Sequence, residues 1–394
     1  VGNSLRNVQD IGTDRISVLH SPTEIQKTCG LEANNSIAEN GPGAPGGGSI
    51  GYVNWSSGWA DAEGAMRWLY QEVASYNRVR FVTGTITRLL ISHHTSTVSG
   101  ALLSDGAKLT ADLTVLAAGA WSPSLLDMRG TCKATGQPLV YLTLTPEEQE
   151  KLASVPTILN LSTGMFAITP SNNMIKIARH GHGYTNPVTI PHPEIPGETI
   201  TVSLPYTHID AQSGSQSQRQ KEKHSQKKHV VPLEARRACE DFLRSTHPSL
   251  WEKLKERKWA RERICWYADT PTHDFIVDWH PRYQGLFVAT GGSGHGFKFL
   301  PVMGECVIER MFGVQDKPST EEEKGSGLGG FSGEKGESEG KESWSWTRDF
   351  KDKWAWPRRR WDEGEWEGDG SRGGEKGMVL FEELGKERVG ESKL

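Results

Sequence analysis

Residues 286–300 read LFVATGGSGHGFKFL, and this stretch decides the fold class. Leu286 to Thr290 form a short apolar run bounded by glycine, as a buried strand requires. Gly291, Gly292, Gly294 and Gly296 follow, and a helical pattern runs from about Pro301 to Met311. The same grammar occurs once upstream, where the apolar run Leu113 to Ala118 ends in Gly119 and a helix begins near Ser122. Two such strand–glycine–helix units, far apart in sequence, imply one α/β layer of the nucleotide-binding kind with another domain inserted between them.

The glycines at 291, 292, 294 and 296 let backbone N–H groups approach a ligand, and the helix beyond directs partial positive charge at an anion. A purely structural turn would need the same residues, so spacing leaves both readings open. A hydrolase elbow of the form G-x-S-x-G around Ser293 is excluded, because His295 stands where the second glycine is needed. Gly41, Gly43 and Gly46 also match the letters of the dinucleotide motif G-x-G-x-x-G. Their context argues against it, since the motif needs a buried strand before it and a helix opening within it. Here LEANNSIAEN precedes and two prolines interrupt the glycines, so the run reads as a loop in an irregular segment of about residues 1–50.

Outward from these units, a helix is expected to begin at Asp61 as its cap, a strand to span Val79 to Leu90, and Asp105-Gly106 to turn a hairpin. The interval 131–262 carries strand-like runs at Gln137–Leu144, Gly164–Ile168, Met174–Ala178 and Thr199–Leu204, and a helix around Pro232–Ser245. The polar stretch near 211–230 reads as a solvated, disordered loop rather than a basic patch.

Composition narrows the function classes. The 394 residues are only 35% hydrophobic, with a mean hydropathy of -0.54. The deficit is local: residues 314–394 hold 15 Lys+Arg and 20 Asp+Glu, a net -5, against +1 for the rest. No apolar run is long enough to span a membrane and none at the N-terminus resembles a signal peptide, so a soluble, intracellular chain is expected; a monomer is the expected state. The five cysteines show no C-x-x-C spacing, which argues against a disulfide framework or a zinc site. The near-neutral body offers no basic face for nucleic acid.

Three further places can carry chemistry. Lys298 follows the glycine loop directly and can bind a carboxylate or lie on the surface. In an alternating strand through Met174–His180, Lys176 and His180 share one face, which is either a site or a solvated side. Cys265, in RICWYADTP, is by spacing alone a small hydrophobe.

Together, GYVNWSSGWADAEGAMRWL, VLAAGAWSPSLL, KIARHGHGY, RICWYADTPTHDFIVDWHP and ATGGSGHGFKFLP resemble, in that order over about residues 50–313, the flavin-dependent amine oxidases. That family includes sarcosine oxidase, fructosyl amino acid oxidase (amadoriase), and the saccharopine and pipecolate oxidases. The resemblance implies a Rossmann-like FAD-binding domain from residues 51–130 and 263–313, and an inserted antiparallel-sheet substrate domain at 131–262. It implies FAD bonded through the sulfur of Cys265, with cofactor contacts from Val82, Ala118, Gly119, Trp121, Gly292, Gly294, His295, Gly296, Phe297 and Lys298. It further implies that Lys298 binds the substrate carboxylate, that Lys176 assists the reaction with oxygen, and that His180 lies in the active site. Amadoriases have a glutamate where His180 falls, which favours a plain secondary amino acid such as saccharopine, pipecolate or sarcosine over a sugar amine. The expected reaction yields an imine and hydrogen peroxide.

Relatives open with a βαβ unit that carries the dinucleotide motif, and no such unit is legible before Gly51. A catalytically inactive relative acting as a binding protein is therefore the alternative reading, beside a fructosyl amino acid oxidase. Residues 314–394 read as a disordered acidic tail, its six tryptophans as compositional drift. Ser392-Lys393-Leu394 matches the address read by the peroxisomal import receptor, the compartment suited to a peroxide producer.

Overall fold

The computed structural model describes residues 2–10, 12, 15–29, 50–206, 230–313, 350–366, 368 and 370–391. The glycine run 41–48, nearly all of the polar loop near 211–230, residues 314–349 and Ser392-Lys393-Leu394 lie outside the described residues.

The N-terminal segment departs from the irregular chain expected of it. Gly2–Asp10 is a helix (α1), Ile16–Leu19 a strand (β1) and Pro22–Thr28 a helix (α2). Strand β1 finds its partner in β2 (Gly51–Asn54), and this antiparallel pairing across a long sequence gap gave no local signal. Helix α3 (Ala62–Ser75) starts where expected, with the Asp61 carboxylate accepting from the Gly64 amide at 3.0 Å. The next strand, β3 (Ile86–Ser92), begins later than the expected Val79. Its register with β4 (Thr97–Leu103) opens at Ile86↔Leu103, while Val79, Phe81 and Val82 remain about half exposed. Asp105-Gly106 turns β4 into β5 (Lys108–Thr110), with Asp105 Oδ1 accepting from the Ala107 amide and Gly106 at φ 88°.

Beyond β6 (Thr114–Leu116) and the short helix α4 (Ser122–Leu125) the chain enters the long strand β7 (Lys133–Thr143). Helix α5 (Pro146–Leu152) is fixed by a capping box between Thr145 and Glu148. Strands β8 (Ile158–Leu159), β9 (Met165–Ser171) and β10 (Met174–Arg179) follow, then the hairpin β11 (Pro187–Pro191) and β12 (Thr199–Ser203). Helices α6 (Leu233–Thr246) and α7 (Pro248–Leu254) lead to β13 (Arg261–Asp269), β14 (Ile276–Trp279), β15 (Leu286–Thr290), α8 (Leu300–Phe312) and, at the C-terminal end, α9 (Leu380–Glu391).

Two sheets organise the molecule. The first is five-stranded and antiparallel, in the order β13-β7-β10-β9-β8. One of its faces buries Val140, Leu142, Ile175 and Ile177 against Cys239, Phe242 and Leu243 of α6, which recur at helical spacing. A fully buried side chain of this size contributes about 1.5–3 kcal/mol. The second sheet has the order β14-β15-β6, and β15 pairs β6 in parallel at Leu286↔Thr114, Phe287↔Val115 and Val288↔Leu116. The two glycine-ended strands read from the sequence are therefore neighbours, as one α/β layer requires. The boundary expected at 262/263 needs correction: β13 pairs with β7 from Arg261↔Tyr141 to Asp269↔Lys133, so the antiparallel sheet continues to Asp269.

The larger correction concerns the C-terminal end. Residues 350–366 and 370–391 include a packed segment, not a uniformly disordered tail. Trp354 is buried, its ring centroid 5.1 Å from that of Phe275 and 4.9 Å from that of Phe350. The Val277 amide donates to the Trp354 carbonyl at 2.8 Å, and the Trp356 amide to Asp278 Oδ2 at 2.9 Å. Arg360 reaches Asp127 at 3.0 Å. Burial would raise the Asp127 pKa, but hydrogen bonds from Arg129 and Arg360 outweigh it and hold the carboxyl below the usual carboxylate range. Met378 and Leu380 close a cluster with Tyr184, Val231, Ala235 and Ile264. Averaged composition concealed these aromatic and aliphatic anchors among glycines and charges.

Candidate active site

The face of the five-stranded sheet opposite α6 carries the candidate chemistry. Residues directly opposite in neighbouring strands project to the same side. In β13 and β7, Cys265 lies opposite Gln137, Tyr267 opposite Thr135, and Asp269 opposite Lys133. Between β7 and β10, Lys176 lies opposite Tyr141 and Ala178 opposite Leu139. Cys265, Tyr267, Asp269 and Lys176 therefore share one face. Strand β10 ends at Arg179, so His180 stands just past it, with its ring centroid 6.1 Å from that of Tyr267. Lys176 thus shares a face with Cys265 and Tyr267, and His180 approaches that face at Tyr267.

Lys176 is partly buried, its Nζ 5.7 Å from the Phe166 ring centroid. Burial lowers its pKa from the ordinary lysine value, neighbouring Arg263 adds to the lowering, and Cys265 partly opposes it. Cys265 itself is half-buried, unlike Cys29, Cys132, Cys239 and Cys306, which are all buried.

The glycine loop is fastened to the end of β13. The Ser293 amide donates to the Ala268 carbonyl at 3.0 Å, and the Thr270 amide donates to Ser293 Oγ at 3.3 Å. Ser293 adopts φ 45° and Gly294 φ 76°, and a Cβ at Gly294 would overlap the Tyr267 ring. The amides of His295 and Gly296 both donate to the Gly292 carbonyl at 2.9 Å. Of the two readings left open for the loop, the structural turn accounts for the amides of Ser293, His295 and Gly296, which hold the loop itself. His295 also stacks on Phe275 at 5.0 Å and bonds to the His273 carbonyl at 2.9 Å.

At the carboxyl ends of the parallel pair, Thr290 Oγ1 meets Ser122 Oγ at 3.1 Å and donates to the Gly119 carbonyl at 3.3 Å. This brings Ala118, Gly119 and Trp121 beside the glycine loop, and β13 packs against the Gly119–Trp121 turn. Trp121, Phe297 and Val82 are exposed. Lys298 is exposed too, its Nζ 5.6 Å from the Phe299 ring centroid, and the structure does not join it to the Lys176 face.

Sequence reading missed the contribution of residues 370–380. The Gly373 amide donates to the His180 carbonyl, and the His182 amide donates to the Gly373 carbonyl, each at 3.1 Å. Ser371 Oγ shares a hydrogen bond with His180 Nε2 at 3.1 Å. Arg372, 2% exposed in its side chain, pairs at 2.7 Å with Asp269, itself 6% exposed. The only local signal was Arg372-Gly373-Gly374, an arginine beside glycines that permit close backbone approach.

A family model described as DAO, FAD dependent oxidoreductase, matches residues 23–310. The amino acid oxidase imqH of Aspergillus flavus is 33% identical over 326 residues, covering 75% of this chain and 64% of that protein. The L-saccharopine oxidase of Schizosaccharomyces pombe is 27% identical over 271 residues, covering 66% and 57%. The fructosamine oxidase Amadoriase II of Aspergillus fumigatus, solved in complex with FSA, superposes with a TM-score of 0.61 at 28% identity, covering 78% of this chain and 63% of that one. The chain thus spans less than two thirds of the length of these relatives. With the matched region embracing both glycine-ended strands and the Cys265 strand, the chain belongs to the DAO family of FAD-dependent oxidoreductases.

Proposed function

We propose that the chain carries out oxidation of a secondary amino acid to an imine, with oxygen reduced to hydrogen peroxide. The observation that carries this reading is the placing of Cys265 and Lys176 on one sheet face, with His180 just past the end of β10 and near Tyr267 of that face, next to the ends of two parallel strands. The residues present fit FAD. A Cβ at Gly119 would meet nothing within 4 Å, and one at Gly292 would find its nearest neighbour at 4.0 Å, so both turns leave room beside the strand ends. This is the crevice in which α/β layers take nucleotides. Ala118, Gly119, Trp121 and the glycine loop would hold the cofactor, and Cys265 offers a thiol for a covalent link. Bound FAD supplies the acceptor for two electrons from the C–H bond beside the amine nitrogen and passes them to oxygen.

The chain's own groups place and charge the reactants. The Lys298 ammonium, exposed after the loop, binds the substrate carboxylate. Lys176, when protonated, stabilises the anion formed as oxygen takes its first electron. His180 presents an imidazole, oriented by Ser371, rather than a carboxylate toward the substrate. That choice supports a saccharopine-, pipecolate- or sarcosine-like amine, whereas the likeness to Amadoriase II supports a fructosyl amino acid as the second reading.

Oxygen uptake by the purified chain with each amine class tests the reaction. Equimolar peroxide from a secondary amino acid is expected. Turnover of fructosyl amino acids alone would favour the second reading, and no turnover of either class would sink both.

The pH dependence has a definite sign. A lysine with a lowered pKa gives up its proton at lower pH than an ordinary lysine, so the oxygen-dependent rate should fall as pH rises through that depressed value. Lys176→Met should remove this limb and slow the oxygen reaction by about tenfold or more, with the anaerobic reaction with amine nearly unchanged. A Lys176→Met profile identical to the parent would remove Lys176 from this role.

Ser392-Lys393-Leu394 is proposed as a peroxisomal address read by its import receptor. A tagged chain without these three residues is expected in the cytosol, and its persistence in peroxisomes would show that another signal acts.

A further inference from the structure

Arg372 touches three separate parts of the molecule. Its Nη2 donates to Asp269 Oδ1 at 2.7 Å and to the Ser293 carbonyl at 2.9 Å, and its Nη1 donates to the Gly181 carbonyl at 3.1 Å. Its guanidinium carbon lies 4.9 Å from the Tyr267 ring centroid. These contacts belong to the end of β13, which supplies both Asp269 and Tyr267, to the glycine loop, and to the turn that follows His180. Asp269 is fixed in turn by Thr135 Oγ1 of β7 at 2.5 Å.

The contacts form a stack with one function. Ser293 is the non-glycine residue of the loop held at positive φ, and it is fully buried, so its carbonyl needs an interior donor. Arg372 supplies that donor. Gly294 lies directly on the Tyr267 ring, where any side chain would overlap it. Tyr267 thus contacts Gly294 and Arg372, and Cys265 is two residues earlier on the same strand face. The height of the loop over Tyr267, on the face that also carries Cys265, is set by this glycine, tyrosine and guanidinium arrangement. Ser371, next to Arg372, bonds to His180, so one short segment fixes both the loop and the candidate active-site histidine.

We propose that Arg372 is a positioning residue of the oxidase site, holding the glycine loop in register over the Cys265 face. The role rests on the oxidase reading above. Arg372 bonds to none of the proposed reacting groups Cys265, Lys176, His180 and Lys298, so it acts through the groups it holds. The guanidinium serves a carboxylate and two carbonyls from two nitrogens, which the single nitrogen of an ammonium reproduces only in part.

The test compares Arg372→Met and Arg372→Lys in the full chain by hydrogen exchange and by kinetics with a secondary amino acid. For Arg372→Met, exchange at the Ser293, His295 and Gly296 amides should accelerate by about tenfold or more beyond the acceleration that loss of the buried ion pair gives the amides of the β7–β10 ladder. kcat should fall by about 10²-fold, with KM altered far less. Arg372→Lys should recover part of both effects. Unaltered loop exchange in Arg372→Met overturns the proposal. So does equal loss of protection in loop and sheet in both variants, which would make Arg372 a general stabiliser. If Arg372→Met does not fold, Arg372→Lys decides: selective loosening of the loop supports the role, and none overturns it. A parent chain without flavin or turnover would defeat the oxidase reading, while the exchange comparison would still judge the brace.

Discussion

Asp269→Asn is expected to lower the unfolding free energy by about 3–5 kcal/mol, the range for a buried ion pair deprived of one partner. Both side chains are almost wholly out of water, Arg372 at 2% exposure and Asp269 at 6%. Asparagine keeps an acceptor for Thr135 but removes the charge that compensates the guanidinium. The remaining partners of Arg372, the Ser293 and Gly181 carbonyls, are neutral and leave a buried cation uncompensated. By contrast the Arg67–Glu63 pair is 67% and 79% exposed, and removing it should cost about 0–1 kcal/mol. Urea unfolding of both variants makes the comparison. Combining Asp269→Asn with Arg372→Met should be less destabilising than the sum of the two single changes, since no lone charge is then buried. A loss for Asp269→Asn no larger than that for the exposed pair would mean that water reaches Arg372.

The parts of the fold legible in the sequence are those written in local pattern. Leu286–Thr290 and Leu113–Ala118 announced themselves by apolar runs ending in glycine, and they are neighbours in one sheet. Alternation in Met174–Ala178 placed Ile175 and Ile177 in the core and Lys176 on the other face. What local pattern could not supply was register. Nothing near Cys265 indicates that it lies opposite Gln137, or that Tyr267 would meet Gly294, because those contacts depend on strands and loops far apart in the chain. The same holds at the C-terminal end. Low aliphatic content argued for disorder, yet a few large anchors suffice when the body offers receptive sites. Trp354 enters an aromatic cluster with Phe275 and Phe299, and Arg360 and Arg372 reach carboxylates more than a hundred residues away. Composition counts residues without regard to where their partners lie.

Cys265→Ala should abolish any flavin that remains attached after acid denaturation. A covalent link to the protein survives unfolding, whereas a cofactor held by the crevice alone is released when the crevice is lost. Among the five cysteines, Cys265 is the one whose side chain is only half-buried, and it stands on β13, the strand that packs against the Gly119–Trp121 turn. A buried thiol such as Cys132 or Cys239 has its pKa raised strongly by desolvation, which suppresses the thiolate needed for attack. Removing a half-exposed sulfur should cost about 1 kcal/mol or less of stability, so loss of attachment would report chemistry rather than unfolding. Flavin absorbance is to be measured in the acid pellet and in the supernatant. The parent chain and Cys306→Ala should keep the yellow colour in the pellet, and Cys265→Ala should release it. A yellow Cys265→Ala pellet would move the link to another residue. A colourless parent pellet with yellow supernatant would leave FAD bound without a covalent bond, and then the positioning of the loop over the Cys265 face would serve orientation of the cofactor alone.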